Sequence, residues 1–494
     1  MPYSTADQVP HRAPQRAIVL EGRALWLSFA AATTGTFMVN LDSSVVNVAL
    51  PVLQHQFALS IETLQWVITA YLLVITGLLP VTGRIADALG RRQIFIAGIA
   101  LFVAGSLFSA LAPTFIVLVL ARAFQALGGA TIMANVMAII ALVFPLEKRG
   151  QALGLIGSVV AAGTLAGPPL GGLLTAWLGW RSIFWINLPI GLWGLWGSWR
   201  FLPRFAPDGN SPLNRLDWTG AVWFVILTSL LEFGLANWHR IWGMGLLALD
   251  AAALYGFIRW EESREYPLIP LRLFRIQAFS KNLISGMAYW VLMMFPAFLL
   301  PFYLRYELHL PVSLIGVSLV PQALTMIVVS PLGGKWLDRS GVLLPGRIGI
   351  GLLMLADALF ALLPRHAPLW SVWAILVAVG AGAGLYSSPN NAAALDSVET
   401  GDTGLASSLL ATQRNLGRAV GVAFASILLS VVWMVHGLGP TPSHTAPQYS
   451  LWFYWAFRGA FAASLAIGAV GLATLTSPPR KRERSASCER KVKG

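Results

Sequence analysis

Long apolar runs alternate with short polar breaks along nearly the whole chain. Runs of about 20 residues recur, each long enough to cross a hydrocarbon core of roughly 30 Å. The pattern predicts fourteen spanning helices. The first six lie near 24–50, 63–84, 93–112, 114–144, 151–177 and 183–203. Two more lie near 218–238 and 241–260, between the polar stretches "RFAPDGNSPLNR" and "EESREYP". The last six lie near 282–304, 312–334, 344–364, 369–394, 404–435 and 452–476. The fourth run is long, so its span ends early or tilts. The expected class is an all-α polytopic membrane protein.

Composition agrees. Of 494 residues, 11% are charged and 56% hydrophobic, with mean hydropathy +0.68. A soluble chain of this length needs more polar surface. The net charge of +13 could point to nucleic acid, but its placement answers to topology. With the N-terminus inside, Arg181, Arg240, Arg305 and Arg365 fall outside, and Arg122, Arg414, Arg418 and Arg458 fall within helices. Every other Lys and Arg falls on a cytoplasmic segment, as the positive-inside rule requires. Both termini are therefore expected in the cytoplasm of a bacterial cell, with the chain in its cytoplasmic (inner) membrane and no nucleic-acid partner. The first apolar run is too long for the core of a cleaved signal and reads as a signal anchor. The tail "PRKRERSASCERKVKG" reads as a topology anchor, with an anionic lipid surface as the alternative. Cys488 is the one cysteine, so an internal disulfide is excluded. Cys/His metal spacing is absent, and no cofactor is expected.

The chain repeats itself. "GRIADALG" begins at Gly83 and "GKWLDRSG" at Gly334, and both read Gly-x-x-x-Asp-x-x-Gly. Gly83, Asp87 and Gly90 map onto Gly334, Asp338 and Gly341 at a constant offset of 251 residues, each set closing the second helix of a six-helix group. Two parallel halves follow. The expected divisions are a cytoplasmic tail 1–23, a six-helix bundle 24–203, a linker with two extra spans 204–277, a second six-helix bundle 278–477 and a basic tail 478–494. The extra pair is expected at the periphery.

"GRIADALGRR" resembles the signature between helices two and three of the major facilitator superfamily. The fourteen-span layout resembles that superfamily's EmrB/QacA-like drug:proton antiporters, from about residue 25 to 475. The resemblance implies two six-helix bundles that rock about a central cavity, with a conformational latch at Gly83, Asp87, Gly90 and Arg91. Read by itself, the stretch is a tight basic turn that fixes topology; its doubling favours the latch. Val342 and Leu343 stand where the second copy would need its basic pair, so the latch role is carried to the first copy alone.

"GTLAGPPLGG" runs from Gly163 to Gly172. Gly163, Gly167 and Gly171 share a helix face that permits close backbone approach, and Pro168 and Pro169 remove backbone donors. Simple packing explains a lone GxxxG. The set Gly163, Gly167, Pro168, Gly171 and Gly172 resembles the antiporter motif of major-facilitator exporters, which implies export over uptake. "WRSIFWINLPIG", Trp180 to Gly191, also resembles this subfamily and reads locally as an interfacial aromatic anchor.

Four acids interrupt the spans: Asp42, Glu232, Asp250 and Asp357. A charge at the bilayer centre costs at least roughly 2.5–3.5 kcal/mol, so each needs a partner, water or a proton. Asp42 and Arg122 lie at matching depths, ~12 Å below the outer surface at 1.5 Å per residue, and are expected to face each other directly or through water. "LDSSVVNVALP" and "LARAFQALGG" resemble the subfamily's helix-one and helix-four signatures, the arginine of the second being tied to proton transfer. A guanidinium favours a carboxylate's charged form and dehydration its protonated form. A site whose hydration changes can thus load and release a proton; the alternative is a structural pair that fixes packing. Asp357 and Arg414 differ little in depth and could pair, though helix eleven is expected to be peripheral. The histidines all fall at or beyond the membrane faces, which leaves coupling to a carboxylate.

Reuse of the family's cavity-lining helices would place Trp66, Tyr71, Gln125, Tyr289, Trp290, Met294, Asn390 and Arg414 around the substrate, a wall suited to bulky lipophilic compounds. The expected function is proton-driven export of lipophilic drugs or toxic amphiphiles by alternating access. The partners are lipophilic small molecules, protons and the bilayer, with a periplasmic adaptor and outer-membrane channel as candidates to extend the path. A transporter of one metabolite, peptide or siderophore is the nearer alternative, and a membrane receptor or enzyme the farther one. No intramembrane catalytic constellation supports an enzyme, and "GGKW" lacks P-loop spacing.

Overall fold

The computed structural model describes residues 20–57, 66–204, 217–238, 240–264, 267–310, 312–399, 402–436 and 449–477. Both termini, including Cys488 and the basic tail, lie outside these ranges. Among the described residues all regular structure is helical. The helices are α1 (Gly22–Phe57), α2 (Trp66–Leu89), α3 (Arg91–Ala110), α4 (Phe115–Val143), α5 (Leu146–Leu178), α6a (Ser182–Trp185), α6b (Asn187–Phe201), α7 (Trp218–Ala236), α8 (Ile241–Glu262), α9 (Gln277–Tyr306), α10a (Val312–Ser318), α10b (Val320–Ser340), α11 (Leu343–Ala361), α12 (Leu369–Asp396), α13 (Thr403–Val435) and α14 (Tyr449–Thr474). With each a/b pair counted as one interrupted span, fourteen spans result. Thirteen are continuous enough to cross a membrane by length and hydropathy. The sixth is not: its longer piece, Asn187–Phe201, has only 15 residues, and the span breaks at Ile186, where Pro189 has no N–H to return to the carbonyl four residues back. Pro321 lies just past the matching break at Leu319.

Several helix ends reach beyond the sequence expectation, two of them with consequences for the site. α1 continues to Phe57, where that ring meets Phe115 at 6.0 Å and Trp180 at 5.7 Å. α2 runs on to Leu89, so Gly83–Leu89 is helix rather than loop. The turn is confined to Gly90, whose φ of 101° suits only glycine. Gly341 ends α10b with φ 78°, so the last glycine of both motif copies meets the same backbone demand.

Two six-helix bundles and an inserted pair make up the fold. In the first bundle α1 packs on α5, α6b and α4, and α3 on α4 and α6b. In the second, α9 packs on α13 and α14, and α11 on α12 and α14. The bundles meet along α5 with α10b and α2 with α13. α7 packs on α2 and α13, while α8 packs on α7. α8 leaves Trp242, Leu249 and Tyr255 exposed, an apolar outer face suited to lipid.

Candidate functional site

Asp42 and Arg122 meet inside the first bundle. Arg122 Nη1 donates to Asp42 Oδ2 at 2.5 Å, with the side chains 0% and 1% exposed for Asp42 and Arg122. Asp42 Oδ1 accepts from Asn187 Nδ2 at 2.7 Å and Gln125 Nε2 at 3.0 Å. Gln125 Oε1 accepts from Arg122 Nη1 at 2.6 Å, and Ser106 Oγ accepts from Gln125 Nε2 at 2.7 Å. Tyr71 lies beneath the guanidinium, 4.0 Å from ring centroid to Cζ. Five elements, α1, α2, α3, α4 and α6b, thus contribute to one polar network around the Asp42–Arg122 pair. Toward the Phe57 end, Val45, Val46, Ala49, Leu53, Leu118, Trp180 and Phe184 form a buried apolar cluster above it. The pair sits in a buried interior where both charges need every bond they make.

Asn187 and Ser106 were not singled out from sequence. Asn187 lay inside the stretch read as an aromatic anchor. Its signal was an amide in an otherwise apolar run, just before Pro189.

Small residues attach α1 to its neighbour. A Cβ on Gly163 would stand 2.8 Å from Phe37 O, and one on Gly171 would stand 3.1 Å from Val45 O. One on Gly167 would overlap Ser44, whereas Gly172 faces open space. The side chain of Pro168 lies outside what is described. Toward its start, α5 turns the same kind of face to the second bundle, where Gly154 abuts Ser330 and Gly150 abuts Gly334. α5 is therefore a continuous body between the Asp42 helix and the junction of the halves.

That junction gathers polar bonds at the end of the bundle carrying the repeated motif. Asp338 Oδ1 accepts from Gly150 N at 2.9 Å and Oδ2 from Gln151 N at 3.0 Å. Arg149 pairs with Asp396 at 2.8 Å, and Ser388 Oγ donates to Gly150 O at 2.8 Å. Arg91 pairs with Asp87 at 2.6 Å, and both abut Gly404 in the first turn of α13, as Gly83 abuts Ser408. Arg272 pairs with Asp402, the residue before α13, at 2.9 Å. Both motif copies thus meet the opposite bundle near a helix N-terminus, where negative charge is favoured. The second copy makes its contact through Asp338 and needs no basic pair.

A small cavity lies between the bundles next to this sealed end. Met137 lines it from α4, Tyr289 and Trp290 from α9, Tyr386, Ser387, Asn390 and Asn391 from α12, and Leu410 and Arg414 from α13. Of the residues expected around substrate, Tyr289, Trp290, Asn390 and Arg414 stand here. Tyr71 and Gln125 stand in the Asp42 cluster instead. Trp66 packs against Phe233 of α7 at 5.2 Å, and Met294 packs against Gly421 of α13. Asp357 is buried and accepts from Ser464 Oγ at 2.6 Å. It forms no ion pair with Arg414 in this structure. Glu232 and Asp250 stay on the inserted pair, each partly buried.

Comparison with known proteins gives a consistent picture. A profile described as Major Facilitator Superfamily matches residues 32–422. The chain is 31% identical over 404 residues to the riboflavin transporter RibZ of Clostridioides difficile, covering 81% of this chain and 87% of that one. It is 29% identical over 432 residues to the multidrug resistance protein Stp of Mycobacterium tuberculosis, covering 86% and 80%. The crystal structure of the human organic anion transporter TETRAN superposes with a TM-score of 0.62 at 16% identity, covering 94% of this chain and all of that one; at that identity the likeness speaks for the fold alone.

Proposed function

The chain belongs to the major facilitator superfamily, and on that premise we propose that it is a proton-driven antiporter of the fourteen-helix EmrB/QacA-like kind. It exports lipophilic drugs or toxic amphiphiles across the bacterial cytoplasmic membrane by alternating access. The observation that carries this is the Asp42–Arg122 pair, fully buried within membrane-spanning helices. One charge moving through 100 mV is worth about 2.3 kcal/mol, enough to drive a ~50-fold gradient of a neutral solute.

The positive-inside rule puts the sealed end at the cytoplasm, the closure expected of an outward-facing state. Asp42 takes up a proton from the outer side and its bond to Arg122 loses its ionic character. Arg122 keeps Gln125 and the Tyr71 ring as partners. α1 then shifts, and α5 moves with it through the Gly163, Gly167 and Gly171 contacts. The other end of α5 carries Arg149 and Gly150, so the same movement strains the seal at Asp338 and Asp396. Gly83, Asp87, Gly90 and Arg91 hold the companion contact to α13 as a latch. Opening of this end exposes the cavity to cytoplasmic substrate, and release of the proton there re-forms the pair.

The likeness to a riboflavin transporter supports a second reading, a transporter for one metabolite, in which the same pair would couple transport. Inverted vesicles separate the two. A panel of lipophilic dyes should enter when a pH gradient is imposed and stop when it is collapsed. Dye movement indifferent to the gradient would contradict proton coupling, and transport of riboflavin but no dye would favour the second reading.

A further inference from the structure

The second bundle holds two charges that the coupling cycle leaves unused. Arg414 and Arg418 stand four residues apart on α13 and so share a face. Arg414 is 6% exposed and lines the cavity. Arg418 Cζ lies 4.6 Å from the ring centroid of Trp290, another lining residue. Neither guanidinium has an ion-pair partner among the described residues. Arg414 Nε, Arg418 Nε, Asn390 Oδ1 and Tyr289 OH are buried without a hydrogen-bond partner. No acid lines the cavity. Two unneutralised guanidinium groups inside a membrane domain are costly, and buried polar groups ordinarily find partners. Beside them is an aromatic cluster, with Tyr289 stacked on Tyr386 at 4.7 Å and edge-on to Trp290 at 5.0 Å.

We propose that this cavity is an anion-selective substrate subsite. When the bundles part and the cavity widens, Arg414, backed by the field of Arg418, receives the carboxylate or sulfonate of an aromatic amphiphile, and Tyr289, Trp290 and Tyr386 receive its rings. This deepens the export reading by naming the cargo's charge and rests on it. It also divides the labour: the first bundle holds its charges paired for the proton, and the second holds its charges open for the ligand. Guanidinium suits this task because it stays charged, presents a planar fork to the anion and stacks on aromatic faces.

The test uses two fluorescent probes that differ by one sulfonate, 8-anilino-1-naphthalenesulfonate and the neutral N-phenyl-1-naphthylamine. Binding is measured to the full chain in lipid nanodiscs, with the empty-disc signal subtracted and no gradient present. Wild type should prefer the sulfonate. Arg414→Gln should weaken sulfonate binding at least about tenfold, the value of a charge-assisted hydrogen bond, and move neutral-probe binding less than about twofold. Arg414→Lys keeps the charge and should retain part of the preference. Its thermal midpoint should match wild type, as should that of Arg414→Gln, since no native ion pair is lost. If Arg414→Gln fails to fold, Arg418→Gln reads the same ratio with a smaller loss. Equal binding of the two probes to wild type, or an unchanged ratio in folded Arg414→Gln, would overturn the subsite. Because this binding needs no gradient, loss of proton coupling with the ratio intact would sink the export cycle and leave the subsite standing.

Discussion

Asp42 and Arg414 belong to opposite halves of a repeated fold, and each half settles its buried charge in its own way. Around Asp42, both carboxylate oxygens are bonded, one to Arg122 and the other to Asn187 and Gln125. Around Arg414 no carboxylate closes the circuit. The repeat does not carry the pair across. α9, the counterpart of α1, contains no Asp or Glu, and α12, the counterpart of α4, contains no Arg. A neutralised pair can remain in a dry interior and be broken by one proton. An unneutralised cation keeps its attraction for something that comes and goes. Helix architecture is thus shared by the halves, while the charge chemistry is specific to each.

The comparison breaks most sharply at Arg122. Arg122→Ala strands the Asp42 carboxylate and should cost about 3–5 kcal/mol, read as a large fall in thermal midpoint in nanodiscs. Arg414→Ala strands nothing and should stay within about 1 kcal/mol of wild type or above it. Equal losses would mean that Arg414 has a native structural partner. Next in size is Gly167→Val, which forces a side chain into Ser44 on α1 and should cost about 1–3 kcal/mol. Gly172→Ala, facing open space, should stay within ~0.5 kcal/mol in the same thermal assay.

Asp338→Asn tests the junction between the halves. It weakens two charge-assisted bonds to α5 amides and should shift the population toward the cytoplasm-open state by about 1–2 kcal/mol. Spin labels at the cytoplasmic ends of α5 and α10b would show this as a longer distance component. An unchanged distance distribution would confine the latch to Asp87 and Arg91. The smallest effect is expected at Trp66, which packs on Phe233 outside the cavity. Trp66→Ala should change dye transport by less than about twofold, checked in inverted vesicles.

Much of the fold was legible in the apolar runs, because a bilayer allows few answers to a run of that length. The sixth span was legible as a run but not as two pieces, since its interruption depends on one missing N–H at Pro189. The contact of Asp42 with Arg122 could be expected from equal depth. Its other partners could not. Asn187 reaches the carboxylate from α6b, and Ser106 on α3 accepts from Gln125 and Asn187 beside it; their convergence depends on helix rotation, which depth alone does not set. The role of the second motif copy was hidden for a similar reason. The absent basic pair after Gly341 pointed away from a latch, yet Asp338 meets α5 amides directly. Met294 lies on a lining helix but on the face toward α13, and Trp66 lies on α2, which does not line the cavity, facing the inserted pair.

The most direct test is Asp42→Asn in proteoliposomes with a dye the wild type transports. The variant keeps an amide in place of the carboxylate and cannot cycle a proton. It should lose accumulation driven by a pH gradient while retaining exchange of labelled for unlabelled dye at equal pH. Gradient-driven accumulation at the wild-type level would remove the coupling role from Asp42.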